Sequence, residues 1–315
     1  MKTAIIGAGI NGLYLARKLA ERGEEATVFE KRDEIGKEVC SGLFSERILD
    51  FIPESRPLIE NEIKSVLIHL PKKTLKIDFS RKFLVMSHYE LDKLAAGLAE
   101  KAGAKIVFGR LIEGPDSVRN EADRIIGCDG PLSVVRKKLN LAEPDYRLAI
   151  QGFIPEEDDS DFVETWPVKS GFIWKIPRKK ETEYGIIIRP SDLAERQKFE
   201  EFLDRNNLKL QRVQGAVVPQ GFCLPKNPTI TLCGDAAGLT KPWSGGGVIW
   251  GLIAADLLLK SFPDFLKYQK EAKRFFFPKI LFSKIAVKTF YSFGINFSWL
   301  IPRKISLESD FLIRH

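Results

Sequence analysis

Histidine, cysteine and methionine are scarce in this chain, with three, four and two copies among 315 residues. Cys40, Cys128, Cys223 and Cys233 form neither a CxxC pair nor a cluster with histidine. A disulfide scaffold and a metal site built on Cys/His spacing are therefore not expected. No basic stretch leads into a long apolar run at the start, as a secretory leader would require. The longest uncharged stretch of the tail, residues 289–302, has 14 residues, short of the roughly 20 that a membrane span needs. Repeats and low-complexity tracts are absent. The expectation is a cytoplasmic chain, with contact to a membrane surface as an open addition.

What is present has the balance of a folded protein, with 44% apolar and 29% charged residues. The length allows two domains, or one domain carrying a large insertion. The net charge of +7 is unevenly spread. Residues 260–315 hold 11 Lys/Arg against 4 Asp/Glu, a surplus equal to that of the whole chain, together with 13 of its 33 aromatic residues. Two readings of this tail stay open. One is a helical cap whose aromatics pack on a core while its lysines are solvated. The other is a peripheral contact with an anionic membrane through residues 261–315. No nucleic-acid motif accompanies the charge, and no such partner is expected.

Residues 2–6 read as a buried strand and residues 10–22 carry apolar positions at helical spacing. Gly23 ends that helix, and residues 26–30 form a second strand, which completes a βαβ unit. Residues 63–86 alternate in a β manner and residues 89–102 form an amphipathic helix. Residues 104–108 and 122–127 read as further parallel strands. From 146 to 218 strands prevail, around a charged helix at 192–205. A buried strand at 229–233 and a helix at 248–259 follow. Pro278 and Pro302 divide the tail into three helical pieces.

Gly7-Ala8-Gly9-Ile10-Asn11-Gly12 joins the first strand to the first helix. Gly7 permits the tight turn, Gly9 lets backbone approach a pyrophosphate, and Gly12 lets helix and strand pack closely. The helix start offers free N–H groups and a positive dipole end. Glu30, followed by Lys31, stands 18 residues after Gly12 at a strand end, where its carboxylate can accept from ribose hydroxyls. An acid there favours FAD or NAD over NADP. Asp129, in Gly127-Cys128-Asp129-Gly130, marks a sharp turn with Ser133 and Arg136 following; an ordinary turn is the competing reading. Gly234-Asp235-Ala236-Ala237-Gly238, with Gly245, Gly246, Gly247 and Val248 beyond, is a second glycine-rich strand-to-helix turn. Two such turns about 230 residues apart fit the two ends of one extended FAD.

The fold expected is α/β. It comprises a Rossmann-like FAD-binding domain with a parallel sheet (1–145 and 219–260), an inserted antiparallel β-sheet substrate domain (63–86 and 146–218) and a helical C-terminal region (261–315).

The three motifs in this order resemble FAD-dependent reductases and hydroxylases of the para-hydroxybenzoate hydroxylase type. Within that group, Cys40-Ser41-Gly42-Leu43-Phe44-Ser45 is similar to the CxGxxS motif of geranylgeranyl reductases, which carries Cys40, Gly42 and Ser45 across. Residues 169–177 resemble that family's aromatic PxxYxWxFP motif at Phe172, Trp174 and Pro177, and depart from it at Lys169 and Ile176. His88 stands four residues before Asp92, where the family commonly has arginine. The resemblance spans residues 1–260 and implies hydride delivery from reduced flavin to an isoprenoid double bond of a prenyl lipid or other apolar substrate.

Reduction of such an alkene needs a proton donor opposite the hydride. Cys40 is the candidate, in a loop with Ser41 and Gly42 that could cover a flavin; the bland alternative is a small inert loop residue. Phe172, Trp174 and Pro177 are the candidate substrate wall, against ordinary strand packing. His88 is either a solvent-facing helix start or a flavin contact. No second dinucleotide motif appears, which leaves NAD(P)H and ferredoxin both open as electron donors. An aromatic monooxygenase and an FAD-binding protein without turnover are the competing functions.

Overall fold

The computed structural model describes residues 1–36, 39–294, 304–307 and 310–311. The first βαβ unit is β1 (Lys2–Ile6), α1 (Ile10–Ala20) and β2 (Glu25–Phe29). Next come β3 (Leu43–Ser45), α2 (Ile48–Phe51), the long hairpin β4 (Asn61–Leu70) and β5 (Lys73–Val85), and α3 (His88–Lys101). Two short strands, β6 (Lys105–Val107) and β7 (Arg124–Gly127), lead to α4 (Val134–Lys138). The strand-rich part holds β8 (Asp145–Ile154), β9 (Phe162–Val168), β10 (Gly171–Pro177), β11 (Thr182–Ile188), α5 (Leu193–Arg205) and β12 (Gln211–Gln220). The chain closes with β13 (Ile230–Leu232), α6 (Val248–Ser261), α7 (Phe265–Thr289) and β14 (Lys304–Leu307).

Five strands form a parallel sheet in the order β13-β7-β1-β2-β6. Its strands are apolar on both faces, as they must be when helices cover both sides. Helices α1, α3 and α6 supply that cover; Leu13, Leu15, Leu19, Leu91, Ala95, Trp250 and Leu258 are buried against it.

The second sheet runs β12-β8-β11-β10-β9-β4-β5-β14, with β3 paired to β5. It is rich in antiparallel pairs, yet β4–β9 and β5–β14 are parallel. Strand alternation decides what each of its faces meets. On β10, Ile173 packs with Phe199 of α5 on one side. Trp174 and Ile176 pack with Ile63, Phe83 and Ile187 on the other. That second face looks into the interior cavity.

The tail differs from the reading above. Helix α7 runs through Pro278 as one piece of 25 residues. A proline there loses one backbone bond and crowds the preceding turn. Phe276 and Ile280, buried on either side of it, keep the helix seated, and Lys279 Nζ donates to the Phe275 carbonyl at 3.3 Å. The piece beyond Pro302 includes a strand, β14, in parallel register with β5; residues 295–303 lie outside the described part. Farther on, Asp310 is fully buried between Lys241 Nζ at 3.1 Å and Arg47 Nε at 3.2 Å. Trp250 Nε1 donates to its carbonyl at 3.1 Å, which ties the end of the chain to α6. No helix among the described residues is long and apolar enough to cross a membrane.

Candidate functional site

β1, β7 and β13 are neighbours in the parallel sheet. The three glycine-bearing turns that follow them therefore meet at one carboxyl edge, the place where open α/β sheets bind ligands. Their closeness explains the glycines. Gly7 has φ 103°, and a Cβ there would lie 2.4 Å from the Cys128 carbonyl oxygen of the second turn. A Cβ on Gly12 would lie 2.2 Å from the Gly7 carbonyl oxygen. Gly9 is different. A Cβ there would meet nothing within 4 Å, so the space beside it is open to a ligand.

Several features fit a dinucleotide. The first turn of α1 contains no acidic residue and Gly9 supplies no side-chain cap, so its N–H groups are not taken by the chain's own carboxylates. Glu30 Oε2 accepts from the Ala8 amide at 2.9 Å and its Oε1 from Arg32 N at 3.1 Å, which fixes the carboxylate beside the turn. Asp129 Oδ2 caps α4 through Val134 N at 2.6 Å and Val135 N at 3.2 Å. Its Oδ1, and Asn11 Oδ1, are buried with no hydrogen-bond partner; orphaned buried acceptors of this kind call for a donor. At the third turn a Cβ on Gly247 would come 2.6 Å from Asp235 Oδ1, so that carboxylate rests against the start of α6, a favourable end of the helix dipole. Arg136, fully buried, joins the second turn to the third. It donates to the Ala236 carbonyl at 2.9 Å, the Pro131 carbonyl at 2.7 Å and Glu143 at 2.8 Å.

One cavity of about 1230 Å³ connects this cradle to the interior face of the second sheet. Of the residues singled out from sequence, Gly7, Gly9, Glu30, Lys31, Cys40, Ser41, Ser45, His88, Asp129, Asp235, Gly246, Gly247, Val248, Phe172 and Trp174 lie on its wall. Four do not: Gly12, Gly42, Gly234 and Pro177. Gly12 serves helix packing. Gly42, at φ 63°, would bring a Cβ within 2.3 Å of the Met86 carbonyl oxygen, and Gly234 would bring one within 2.3 Å of Asn11 Nδ2. Pro177 ends β10, where its carbonyl accepts from Asn61 Nδ2 at 3.1 Å.

The Cys40 loop is held from the second sheet. Gln151 Nε2 donates to the Cys40 carbonyl at 3.1 Å, and Arg178 Nη1 donates to the Ser41 carbonyl at 2.9 Å. From the other side comes His88, at the start of α3. It is buried, at 6% exposure, and so is no solvent-facing helix start. Its Nε2 lies 3.4 Å from Asp92 Oδ1. Burial alone would lower the imidazole, but Cys40 and Asp92 beside it overcome this and push it up to about 10.

Sequence reasoning missed a second buried group. Glu183 has no exposed surface, pairs with Arg178 at 3.0 Å and accepts from Trp174 Nε1 at 2.9 Å. Burial pushes its carboxyl up to about 8, against the downward pull of Arg178. On β11 it stands between Thr182 and Tyr184 in a strand buried along its whole length. A lone acid in such an apolar run was the available signal. Arg110, on the cavity wall with its guanidinium 4.5 Å over the Phe29 ring, left no sequence signal. Chemically the cavity joins an anion-binding cradle to an apolar chamber walled by Phe79, Phe83, Phe172 and Trp174, with Cys40 and His88 between them.

The profile of the NAD(P)-binding Rossmann-like domain matches residues 5–49. The chain is 27% identical, over 302 aligned positions, to a digeranylgeranylglycerophospholipid reductase of Thermoplasma acidophilum, with 80% of this chain and 76% of that one covered. A digeranylgeranylglycerophospholipid reductase of Methanosphaera stadtmanae is 25% identical over 321 positions, covering 87% and 79%. Among solved structures, a geranylgeranyl bacteriochlorophyll reductase-like protein of Thermoplasma acidophilum superposes with a TM-score of 0.80 at 23% identity, covering 94% of this chain and 88% of that one. A flavin-dependent brominase superposes with a TM-score of 0.75 at 14% identity, covering 95% and 89%, a likeness of fold. The chain is thus similar in sequence to digeranylgeranylglycerophospholipid reductases and shares the fold of a geranylgeranyl reductase-like protein.

Proposed function

We propose that this protein binds FAD and saturates isoprenoid double bonds of a lipid. The observation that supports it most is the single cavity running from the dinucleotide cradle into an apolar chamber, with Cys40 on its wall. FAD, once bound and reduced, would supply the hydride.

The protein's own side chains do the rest. The Gly7–Gly12 turn and the open start of α1 would hold the pyrophosphate, and Glu30 the adenosine ribose. Asp235 and the Gly246-Gly247-Val248 amides would hold the far end. The apolar walls take the prenyl chain and exclude water, so that the alkene meets few competing proton sources. Cys40 and His88 share one proton, held chiefly at the imidazole, which passes through Cys40 Sγ to the alkene carbon opposite the hydride while Asp92 orients the imidazole. Arg178 and Gln151 position the loop.

The test is anaerobic. The purified protein is loaded with FAD, reduced with dithionite, and mixed with a geranylgeranyl lipid in detergent. Return of the oxidised flavin spectrum together with a saturated product supports the reading. Recovery only on admitting oxygen would favour a monooxygenase. Bound flavin that no acceptor reoxidises would mean binding without turnover. NAD(P)H and reduced ferredoxin are then compared as donors in place of dithionite.

A further inference from the structure

Helix α7 is long enough to have two jobs. Phe265, Tyr268, Ala272, Phe276 and Ile280 are buried on the side facing the core. Another side carries Leu266, Phe277, Leu281 and Ile285, which are 40%, 50%, 53% and 57% exposed. Spacings of eleven, four and four residues put these four on one stripe of a 3.6-residue helix. Scattered apolar residues on a surface are ordinary, but an aligned row of large ones is not.

The charges of the groove beside the stripe have one sign, while farther along Lys284 pairs with Asp145 at 2.9 Å. A groove of about 700 Å³ lies alongside, lined by Lys226, Lys270, Lys273 and Arg274 with Leu266 and Phe277 at its apolar part. No acidic side chain lines it. Lys226 comes from the segment before β13, so the groove is formed by two separate parts of the chain. Lys273 Nζ sits 5.8 Å from the centre of the Phe277 ring, which sets a cation beside an apolar anchor.

Apolar anchors among cations of one sign match the boundary of an anionic bilayer, where phosphates lie just above acyl chains. The same helix then runs on into the main cavity, whose wall includes Ala286 and Val287, with Phe290 and Tyr291 just beyond. We infer that α7 docks along its length on an anionic lipid bilayer, its apolar stripe inserted and the groove cations on headgroup phosphates. This orientation sets the wall of the main cavity against the source of a lipid substrate.

The experiment is co-sedimentation of the full-length protein with phosphatidylcholine vesicles, with and without phosphatidylglycerol, at low and high salt. Binding should require phosphatidylglycerol and should weaken as salt rises. The double variant Lys270→Gln/Lys273→Gln should bind about 25-fold more weakly, about fivefold for each charge removed. Leu281→Ser/Ile285→Ser should also lose binding, and both variants should keep the wild-type melting temperature and flavin content. Equal binding to neutral and anionic vesicles, no binding to either, or unchanged binding by both variants would overturn the inference. Turnover of a detergent-dispersed lipid does not depend on docking, so loss of vesicle binding alone leaves the proposed reaction standing.

Discussion

Trp174 Nε1 donates to Glu183 Oε1 over 2.9 Å, so an indole on the cavity wall is tied to a carboxyl with no exposed surface. Burial raises that carboxyl to about 8. Between about pH 4.5 and 8 the unfolded chain has released the proton while the folded protein still holds it. The group's contribution to stability is whole below about 4.5 and is lost as pH rises through about 8. Thermal melts across this range should show the decline, and Glu183→Gln should flatten it. An unchanged slope in the variant would assign the decline to other groups.

His88 moves the same way in a higher window. Its imidazole is raised from the ordinary 6.5 to about 10, so the bound proton stabilises the fold in full below about 6.5, and the effect is lost as pH climbs through about 10. His88→Gln should weaken this dependence. If His88 holds the proton that passes through Cys40, the variant should also slow lipid reduction by about 10²-fold, the lower end of general acid catalysis. Flavin content is the control. Loss of flavin without the kinetic change would make His88 a flavin contact alone.

Gly7 and Gly9 should part company on mutation. Gly9→Val meets open space at an ordinary φ of −80°, so the apoprotein should melt as wild type does while FAD affinity falls by at least about tenfold, the loss of one good contact. Gly7→Val collides with the Cys128 carbonyl and should fold poorly. Flavin titration beside melting curves reads both outcomes.

Cys40→Ala should retain flavin and its reduction by dithionite, yet return the oxidised spectrum with lipid about 10²- to 10⁴-fold more slowly. Anaerobic stopped-flow at the flavin absorbance measures this. Turnover at the wild-type rate would reduce Cys40 to a small loop residue.

Arg136→Met should cost about 2 kcal/mol, because it leaves the buried Ala236 carbonyl without its donor. Its guanidinium joins the Pro131 and Ala236 carbonyls of two separate turns and the Glu143 carboxylate beyond α4. Denaturant titration checks the value, and a cost below about 1 kcal/mol would mean that the turns hold without it.

Much of the cradle was legible because its reasons are local. A glycine required by a tight turn, an acid at a strand end and a helix opening on free N–H groups are each readable from a few consecutive residues. The cavity wall was only half legible. Phe172 and Trp174 stand out as aromatics two apart on one strand, but Glu183 acquires its character from burial by partners on other strands. His88 sits at the start of an amphipathic helix and gives no hint there that Phe44 and Cys40 will enclose it. In the tail, Pro278 reads as a break by local rules, and packing of Phe276 and Ile280 overrides them.

The sequence by itself determined the βαβ unit, the nature of the glycine turns, the acid at position 30, the family resemblance through Cys40, Gly42 and Ser45, and the basic, aromatic tail. All of these follow from short-range backbone sterics and from composition. Tertiary structure alone decided that β1, β7 and β13 lie side by side, so that three turns spread along 240 residues of chain become one cradle. It alone brought His88 to Cys40, buried Glu183 behind Trp174, and turned one flank of α7 outward. The physical reason is that burial and electrostatic environment come from contacts between residues far apart in the chain, and spacing along the chain does not encode them.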